Sequence, residues 1–316
     1  MTCWASRHSS VRGGQILLFL SPKADLRITF RDLSITYKSR GVAVEITHRC
    51  ELRSDRCEWQ ELLVPGGWGS GRESLELAQG WARKWTARWR YGGETVICSV
   101  RDLASMPLQG AEPVRRFSWR TSQFHRPGLQ YMVSTGRHHG FESHAEQQLL
   151  LALDFVRVSE VLSQPFRLSF TSINGPGGHT PDFLAMTASG VWLIDVRPGD
   201  RIKDEDRMRF AAAAEAALSC GWRYVVAAGW RPHVQTTLDT VSAQRRPLAD
   251  PLGLQSVLLA AAGVGPMRFG DLVGQVPVPA VARAQALHLI WNRRLAIDLT
   301  APLNDQSMVH AGRSGR

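Results

Sequence analysis

Alternation of apolar and polar residues predicts strands near the start of the chain. Residues 24–52 alternate in this way, with Gly41 in a turn, whereas residues 73–91 place their aromatic side chains at helical spacing after a GGWGSGRES loop. No cluster of chemically reactive side chains stands out before residue 105. We therefore predict an N-terminal region, 1–105, of mixed α/β structure and unassigned role.

The pattern is clearer after residue 105. ESHAEQQLLLALDF, residues 142–155, predicts a helix that begins at Ser143; EVLSQPFRLSF, 160–170, predicts one strand, and INGPGG, 173–178, predicts a turn. HTPDFLAMT and VWLIDVRP predict two strands joined by a tight Ala-Ser-Gly turn. Helix and strand patterns are thus both present in this part of the chain.

An alanine-rich helix and a further strand follow. KDEDRMRFAAAAEAALSCG, 203–221, predicts a helix that ends at Gly221, and WRYVVAAGW, 222–230, predicts a buried strand. A helix that connects two strands favours a mixed sheet with a crossover. Residues 106–240 are therefore predicted to form one α/β domain.

The tail has a different pattern. DPLGLQSVLLAAAG, FGDLVGQV and PAVARAQALHLIWNRR predict three helices, and LAIDLTAPLND and SMVHAG follow them. We predict that residues 241–316 form a small helical, winged-helix-like domain.

Composition narrows the class of partner. The formal net charge is +10 and the pI is about 10.0, which favours a polyanion, although a membrane surface or solubility alone would also account for it. The five scattered cysteines indicate no disulfide framework, and His48, Cys50 and Cys57 match no common zinc spacing. No apolar stretch is long enough to span a bilayer, so we expect a cytoplasmic protein with no membrane partner.

A basic segment with aromatic residues spans residues 112–141. Its arginines, opposed only by Glu112, are Arg115, Arg116, Arg120, Arg126 and Arg137, with Phe117, Trp119 and Phe124 among them. This composition favours a surface that binds DNA. A solvated loop whose aromatic side chains pack on the next domain would give the same pattern.

Two aspartates of the predicted hairpin form the candidate site. Asp182 follows Pro181, Asp195 lies thirteen residues later, and Arg197 shares the face of Asp195 because side chains alternate along a strand. The two carboxylates converge on one edge if the second strand is offset. With a nearby backbone carbonyl they would offer the hard oxygen ligands that Mg²⁺ prefers, and Mn²⁺ would substitute.

Glu146 is a candidate third acid. Residues 143–146 have the S-x-x-E spacing of a capping box, in which the glutamate bonds back to the start of the helix. The spacing alone favours capping over a metal role. Glu142 precedes the helix and is predicted to face solvent.

Together these residues resemble a known nuclease family. TPDF followed by IDVRP is similar to the PD-(D/E)xK motif of restriction-endonuclease-like nucleases. The series TGRHHGFESHAEQQLLLALDF, SQPFRLSF, PDF and DVRP resembles the TnsA-like endonuclease subunit of heteromeric transposases over about residues 113–230. The resemblance implies a mixed sheet flanked by helices, in agreement with the predicted order of helix, three strands, helix and strand.

The resemblance also implies roles for single residues. Glu146 becomes a metal-site acid, Asp182 the principal metal ligand and Asp195 a second ligand, with the Val196 carbonyl as a candidate third. The lysine of the motif falls on Arg197, where this sequence departs from the family.

That departure limits the chemistry of the site. Arginine stays protonated because its pKa exceeds about 12, so Arg197 could orient water or stabilise phosphate charge but could not act as a general base. Lys203 is a candidate replacement and a candidate DNA contact, or only a surface charge at a helix start. We favour an active Mg²⁺-dependent nuclease with an electrostatic Arg197 over a decayed site.

The resemblance implies an endonuclease subunit that hydrolyses one strand of double-stranded DNA at transposon ends. A DDE-class transposase (TnsB-like) would cut the other strand, and an AAA+ ATPase (TnsC-like) would regulate assembly. By the same resemblance, the tail would dock that ATPase or hold DNA. Two alternatives stay open: a catalytically inactive DNA-binding scaffold of the same fold, and a stand-alone nuclease for defence or repair.

Overall fold

The structure of the protein, a computed structural model, describes three strands within residues 25–47 together with residues 51–115 and 127–312. Contacts group the chain into two compact units, Met1–Glu51 and Leu52–Arg316. Within the described ranges, no helix combines the length and the apolar character that crossing a membrane requires.

The first unit contains a three-stranded antiparallel sheet. Its strands, hydrogen-bonded in chain order, are β1 (Asp25–Thr29), β2 (Ser34–Ser39) and β3 (Val42–Thr47). The strands predicted from alternation are therefore confirmed. The predicted turn residue Gly41 lies outside the described residues.

The second unit is mixed α/β structure. In chain order it begins with β4 (Leu63–Pro65), α1 (Trp81–Lys84), β5 (Thr86–Tyr91), β6 (Glu94–Ser99), β7 (Ala111–Glu112), β8 (Gly128–Met132), β9 (Arg137–Phe141) and α2 (His144–Phe155). It continues with β10 (Glu160–Ser163), β11 (Arg167–Ser172), β12 (Gly175–His179), β13 (Phe183–Thr187), β14 (Gly190–Val196), α3 (Asp204–Ser219) and β15 (Arg223–Trp230). Short 3-10 helices lie at Trp59–Leu62, Gly69–Ser74, Val100–Ser105 and Gly199–Arg201.

Two sheets enclose α3. The first has the strand order β10-β13-β14-β15-β4, in which β14 and β15 are parallel and the other pairs are antiparallel. The second has the order β12-β11-β5-β6, with β7 beside β5. Alanines of α3 share one hydrophobic cluster with side chains of both sheets, whereas α2 packs on the other face of the first sheet. The predicted crossover and mixed sheet are therefore confirmed.

The two helices nearest the candidate site begin and end as predicted. α2 follows Ser143, whose side chain accepts a hydrogen bond from the Glu146 N–H. α3 is followed by Gly221, whose φ of 70° glycine adopts without strain. The alanines of α3 are fully buried because the helix lies between two sheets.

The predicted helix over 73–91 is wrong. Only α1 is helical there, and residues 86–91 form β5. Trp81, Trp85 and Trp89 are spaced by four, which suits a helix, but an even spacing also suits one face of a strand. Pairing of β5 with β6 and β11 decides between the two, and it buries Trp89.

The single strand predicted over 160–170 is two strands in different sheets. Gln164 has a φ of 45°, and Pro165 has no N–H for a ladder, so β10 ends and β11 begins in the other sheet. The turn predicted over 173–178 is also shorter, because β12 begins at Gly175.

Strand pairing crosses the boundary predicted at residue 105. β5 pairs with β11 and β4 pairs with β15, so part of 1–105 completes the sheets of 106–240. The contacts separate residues 51 and 52 instead, because sheet hydrogen bonds hold the later residues together.

The tail contains the three predicted helices. After α4 (Val234–Ser242), which lies at the predicted boundary, its elements are α5 (Leu254–Val264), β16 (Met267–Arg268), α6 (Phe269–Gly274), α7 (Pro279–Trp291), β17 (Leu295–Ala296) and β18 (Met308–Ala311). The three short strands pair in the order β16-β18-β17. The hydrophobic cluster formed by the tail helices also includes Leu62 and Phe155, so the tail packs within the second unit.

Candidate active site

The β13–β14 hairpin sets two aspartates side by side. The pair Thr187/Gly190 flanks its two-residue turn, and hydrogen-bonded pairs alternate with non-hydrogen-bonded pairs from there. Continuing this register past Phe183 sets Asp182 opposite Asp195 in a non-hydrogen-bonded pair, where Cα atoms approach to about 4.5 Å. The predicted convergence of the carboxylates therefore needs no offset of the second strand.

Pro181 interrupts the ladder beside Asp182. In this register Val196 lies opposite residue 181, and proline has no N–H to donate. The Val196 N–H instead donates to Asp182 Oδ2 at 2.7 Å. The Val196 carbonyl, on the same edge, receives no ladder bond from Pro181 and is available as an oxygen ligand.

His179 and Tyr224 bind the Asp195 carboxylate. His179 Nε2 lies 2.8 and 3.0 Å from its two oxygens, and the Tyr224 hydroxyl donates to Oδ2 at 2.7 Å. Asp195 is only 1% exposed. A carboxylate buried to this extent requires such donors, because unpaired burial of charge is costly. β12 supplies the histidine and β15 the tyrosine, so three strands position this group.

Both faces of β14 are covered at the site. Ile194 packs in the cluster that contains α2, and Leu193 packs in the cluster that contains α3. Because side chains alternate, Asp195 lies on the α3 face. The carboxylate is therefore enclosed in the protein.

Glu146 stabilises the start of α2. Ser143 Oγ accepts from the Glu146 N–H at 3.2 Å, and the Glu146 carboxylate accepts from the Ser143 hydroxyl and the Glu142 N–H, each at 2.8 Å. The Ser143 cap is therefore confirmed, whereas the Glu146 carboxylate bonds to the N–H one residue before the cap and to the Ser143 hydroxyl rather than to the Ser143 N–H of a capping box. Glu142, predicted to face solvent, is half-buried.

The three carboxylates lie within electrostatic range of one another. Burial raises the pKa of Asp182 well above its ordinary 3.8, and the charges of Asp195 and Glu146 raise it further. Burial also raises the pKa of Glu146, against the hydrogen bonds from Glu142 and Ser143. A bound cation would stabilise such a group of acids.

Two buried oxygens beside Asp182 lack a hydrogen-bond partner. Gln164 donates its N–H to the Asp182 carbonyl at 2.7 Å, is 2% exposed and leaves its Oε1 unpartnered. Thr180, also buried, leaves its Oγ1 unpartnered. The left-handed backbone of Gln164 is strained for a residue other than glycine. Both oxygens can therefore accept a further hydrogen bond or bind a cation at this end of the sheet.

Arg197 is bound at the start of α3. Its Nε donates to the Arg201 carbonyl at 3.2 Å, and its guanidinium lies 3.3 Å from the Asp206 carboxylate. The Lys203 N–H donates to the same carboxylate at 3.1 Å, while the Lys203 residue is exposed. Both cations are therefore close to the site in sequence, and Arg197 has an acidic partner on α3.

The predicted DNA-binding arginines differ in how they are placed. Arg116, Arg120 and Arg126 lie outside the described residues, as do the aromatic residues among them. Arg115 is exposed, and its charge opposes the rise in the pKa of Glu146. Arg137 forms an ion pair with Glu160. DNA binding by this segment stays a prediction.

The oxygen atoms of the site fit a divalent cation in their chemistry. In the part of the chain that the structure describes, no three His, Cys, Asp or Glu side chains converge closely enough to hold a metal. The donors are instead Asp182, Asp195 and the Val196 carbonyl, with unpartnered oxygens of Gln164 and Thr180 nearby. Such hard ligands suit Mg²⁺ or Mn²⁺, and outer hydrogen bonds commonly orient ligands of this kind.

Sequence reasoning missed the partners of Asp195. It assigns Tyr224 to the core and His179 only to the start of a strand. One signal was available: an aspartate within VWLIDV is expected to be buried and so to require donors. Those donors lie 16 and 29 residues away, on strands that only tertiary pairing brings together.

Comparison with known proteins assigns no family. No protein-family model matches the chain, and no curated protein sequence matches it.

Proposed function

We propose that the protein is a metal-dependent DNA endonuclease subunit of the TnsA-like kind. The observation that carries the proposal is the Asp182–Asp195 pair at the end of the β13–β14 ladder, where Pro181 leaves the Val196 carbonyl available. These are the oxygen ligands that a PD-(D/E)xK motif supplies. Glu146 adds a third acid from α2.

The order of the elements supports the same assignment. Five strands lie between α2 and α3 instead of the predicted three, but β11 and β12 belong to the second sheet, so the first sheet has α2, then β10, β13 and β14, then α3 and β15. This mixed sheet between two helices supports the restriction-endonuclease-like core that the resemblance implies. The helices α5, α6 and α7, with the β16-β18-β17 sheet, correspond to a winged-helix-like domain. Both are parts of the organisation that the resemblance implies.

Each residue then has a defined task. A divalent cation supplies polarisation of the attacked phosphate and a bound water of lowered pKa. Asp182, Asp195 and the Val196 carbonyl would hold it, with Glu146 as a further acid. His179 and Tyr224 fix the orientation of the Asp195 carboxylate.

Arg197 has an electrostatic task in this proposal. It stays protonated and cannot accept a proton from water, but its guanidinium can bind two oxygens of a phosphate. Its present partner is Asp206 at 3.3 Å, and its side chain is 41% exposed. A phosphate would therefore compete with Asp206 for the guanidinium.

The proposed substrate is double-stranded DNA at transposon ends, of which one strand is hydrolysed. A DDE-class transposase would cut the other strand, and an AAA+ ATPase would dock on the tail. These partners follow from the resemblance, and the basic net charge of +10 supports a DNA substrate. A reconstituted mixture of the three proteins should release transposon ends, and it should leave one strand uncut when Asp182 is replaced.

Mn²⁺ binding measured by calorimetry tests the site directly. The wild-type protein should bind Mn²⁺, Asp182→Asn should not, and Asp204→Asn should bind normally because Asp204 is an exposed carboxylate on α3. A wild-type protein that holds DNA but binds no Mn²⁺, even in its presence, would contradict the proposal.

A catalytically silent DNA-binding scaffold is the second candidate. Two observations favour it: Asp195 already accepts hydrogen bonds from His179 and Tyr224, and Arg197 is paired with Asp206. The scaffold predicts salt-sensitive DNA binding without a metal requirement. The same calorimetry separates the two candidates.

A further inference from the structure

The outer face of the second sheet carries an open, basic pocket of about 340 Å³. Its polar side chains are Lys84, Thr86, Arg167, Ser169 and Thr171, and residues 176–178 of β12 complete the lining. Two cations, three hydroxyls and exposed backbone are the groups that bind phosphate in protein–DNA complexes. We call this surface, with the adjoining Arg88, the basic sheet face.

Two arginines lie directly opposite each other on the basic sheet face. Arg88 on β5 pairs in register with Arg167 on β11, and both are exposed. Among the described residues, neither arginine nor Lys84 forms an ion pair with a carboxylate. By contrast Arg90, the next outward residue of β5, lies 3.1 Å from Glu112.

This pair of like charges requires an explanation. Like charges directly opposite each other on a sheet are destabilising, whereas an anion between them would be bound by both. The arrangement therefore indicates an anionic ligand rather than a contribution to folding.

Gly178 keeps the outward face of the adjacent strand open, whereas Gly177 leaves room for the buried Phe170 ring on the inward face. A Cβ atom at Gly177 would meet the Phe170 ring at 2.5 Å, and one at Gly178 would lie 2.7 Å from the Arg167 guanidinium. β12 is an edge strand, so its backbone can approach a ligand without intervening side chains.

β12 also connects this surface to the acidic site. From Gly178 the chain reaches Asp182 within four residues, at most about 14 Å, which is the length of a few nucleotides. His179, the last residue of β12, lies 2.8 Å from Asp195. One short segment of chain therefore joins the basic sheet face to the acidic site, whose Asp195 carboxylate is itself enclosed.

We propose that the basic sheet face binds the phosphodiester backbone of duplex DNA beside the acidic site. The proposal rests on the proposed function in one respect, the choice of DNA as the polyanion. It adds Lys84, Arg88 and Arg167 to the binding surface, none of which belongs to the basic segment at 112–141.

The test is the salt dependence of binding to a short duplex of arbitrary sequence, with metal removed by chelation. The double variant Arg88→Gln/Arg167→Gln should bind more weakly, and its slope of log affinity against log salt should fall by about 1.8, or about 0.9 for each lost phosphate contact. Arg88→Lys/Arg167→Lys should keep the wild-type slope because the charges remain. Thermal unfolding of each variant checks that it is folded.

A matched control removes two charges elsewhere. Arg72→Gln/Arg209→Gln replaces arginines that already lie beside Glu215 and Glu205, so its slope should not change. The proposal is overturned if the Arg88/Arg167 glutamine variant keeps the wild-type slope, if the control loses as much, or if the wild-type protein binds no duplex. Mn²⁺ calorimetry on the same proteins tests the acidic site separately. Failure of the nuclease proposal would appear as absent Mn²⁺ binding, whereas failure of the present proposal would appear in the salt slopes.

Discussion

The two large sheets differ in the sign and in the burial of their charged side chains. The first sheet ends in carboxylates that are enclosed and hydrogen-bonded, whereas the second carries exposed cations without acidic partners. Asp195 is 1% exposed, so its carboxylate needs hydrogen-bond donors from two other strands. Arg88 and Arg167 are exposed, so water can accept their hydrogen bonds and no protein acceptor is required. Burial thus determines the geometry of the acidic site. The cations of the basic sheet face are exposed, so their anionic partner has to come from outside the chain.

The largest effect is expected from replacing Asp182, the carboxyl group whose ionised form burial disfavours most. The folded pKa of Asp182 is raised above its ordinary 3.8, so the unfolded chain loses this proton first as pH rises. When metal is absent, the free energy of unfolding should therefore fall as the pH rises from about 3.8 toward the raised pKa of Asp182. Asp182→Asn should lack this loss and be more stable than the metal-free wild type at neutral pH.

Urea unfolding across this pH range, with chelator present, measures the difference. Asp204→Asn is the control, since its carboxylate is exposed on α3. Parallel stability curves for Asp182→Asn and the wild type would show that Asp182 ionises normally. Added Mn²⁺ should stabilise the wild type and leave Asp182→Asn unchanged.

Removing one donor from Asp195 should have the next largest effect. Tyr224→Phe deletes a 2.7 Å hydrogen bond to a buried carboxylate, and bonds to charged groups contribute about 1.5–3 kcal/mol. Denaturant unfolding should show a loss of stability in this range. Tyr91→Phe, on exposed β5 surface, should change stability little, and an equal loss in both variants would remove the special role of Tyr224.

In β12, Gly177→Ala tests whether the strand must lack a side chain where it faces the buried Phe170 ring. The added methyl group would overlap the Phe170 ring, so we expect a loss of about 1–3 kcal/mol by thermal or urea unfolding. Gly263→Ala in α5 meets no atom within 4 Å and should be neutral or stabilising. A Gly177→Ala protein as stable as the wild type would show that β12 can shift away from the ring.

The smallest effect is expected from reversing one charge of the arginine pair. Arg88→Glu places opposite charges across β5 and β11 and should stabilise the protein by about 0.2–1 kcal/mol at low salt. The same change should weaken DNA binding. Stability that does not respond, or that responds equally at high salt, would show that Arg88 and Arg167 do not repel each other.

Local patterns predicted the elements around the acidic site well. The capped start of α2, the tight turn after β13 and the glycine after α3 depend on residues within one or two turns of chain, so they were predicted. The helix over 73–91 was not, because tryptophans spaced by four suit both a helix and a strand. The break at Gln164 was missed since a left-handed residue before a proline follows from packing of two sheets.

The sequence by itself determined that Asp182 and Asp195 belong to neighbouring strands of one hairpin, because turn and alternation are local properties. Only the tertiary structure decided that His179 and Tyr224 bind Asp195, that Glu146 lies near Asp182, and that Arg88 faces Arg167. The physical reason is that these contacts join elements distant in the chain, and their pairing depends on how α3 and the two sheets pack rather than on any local period.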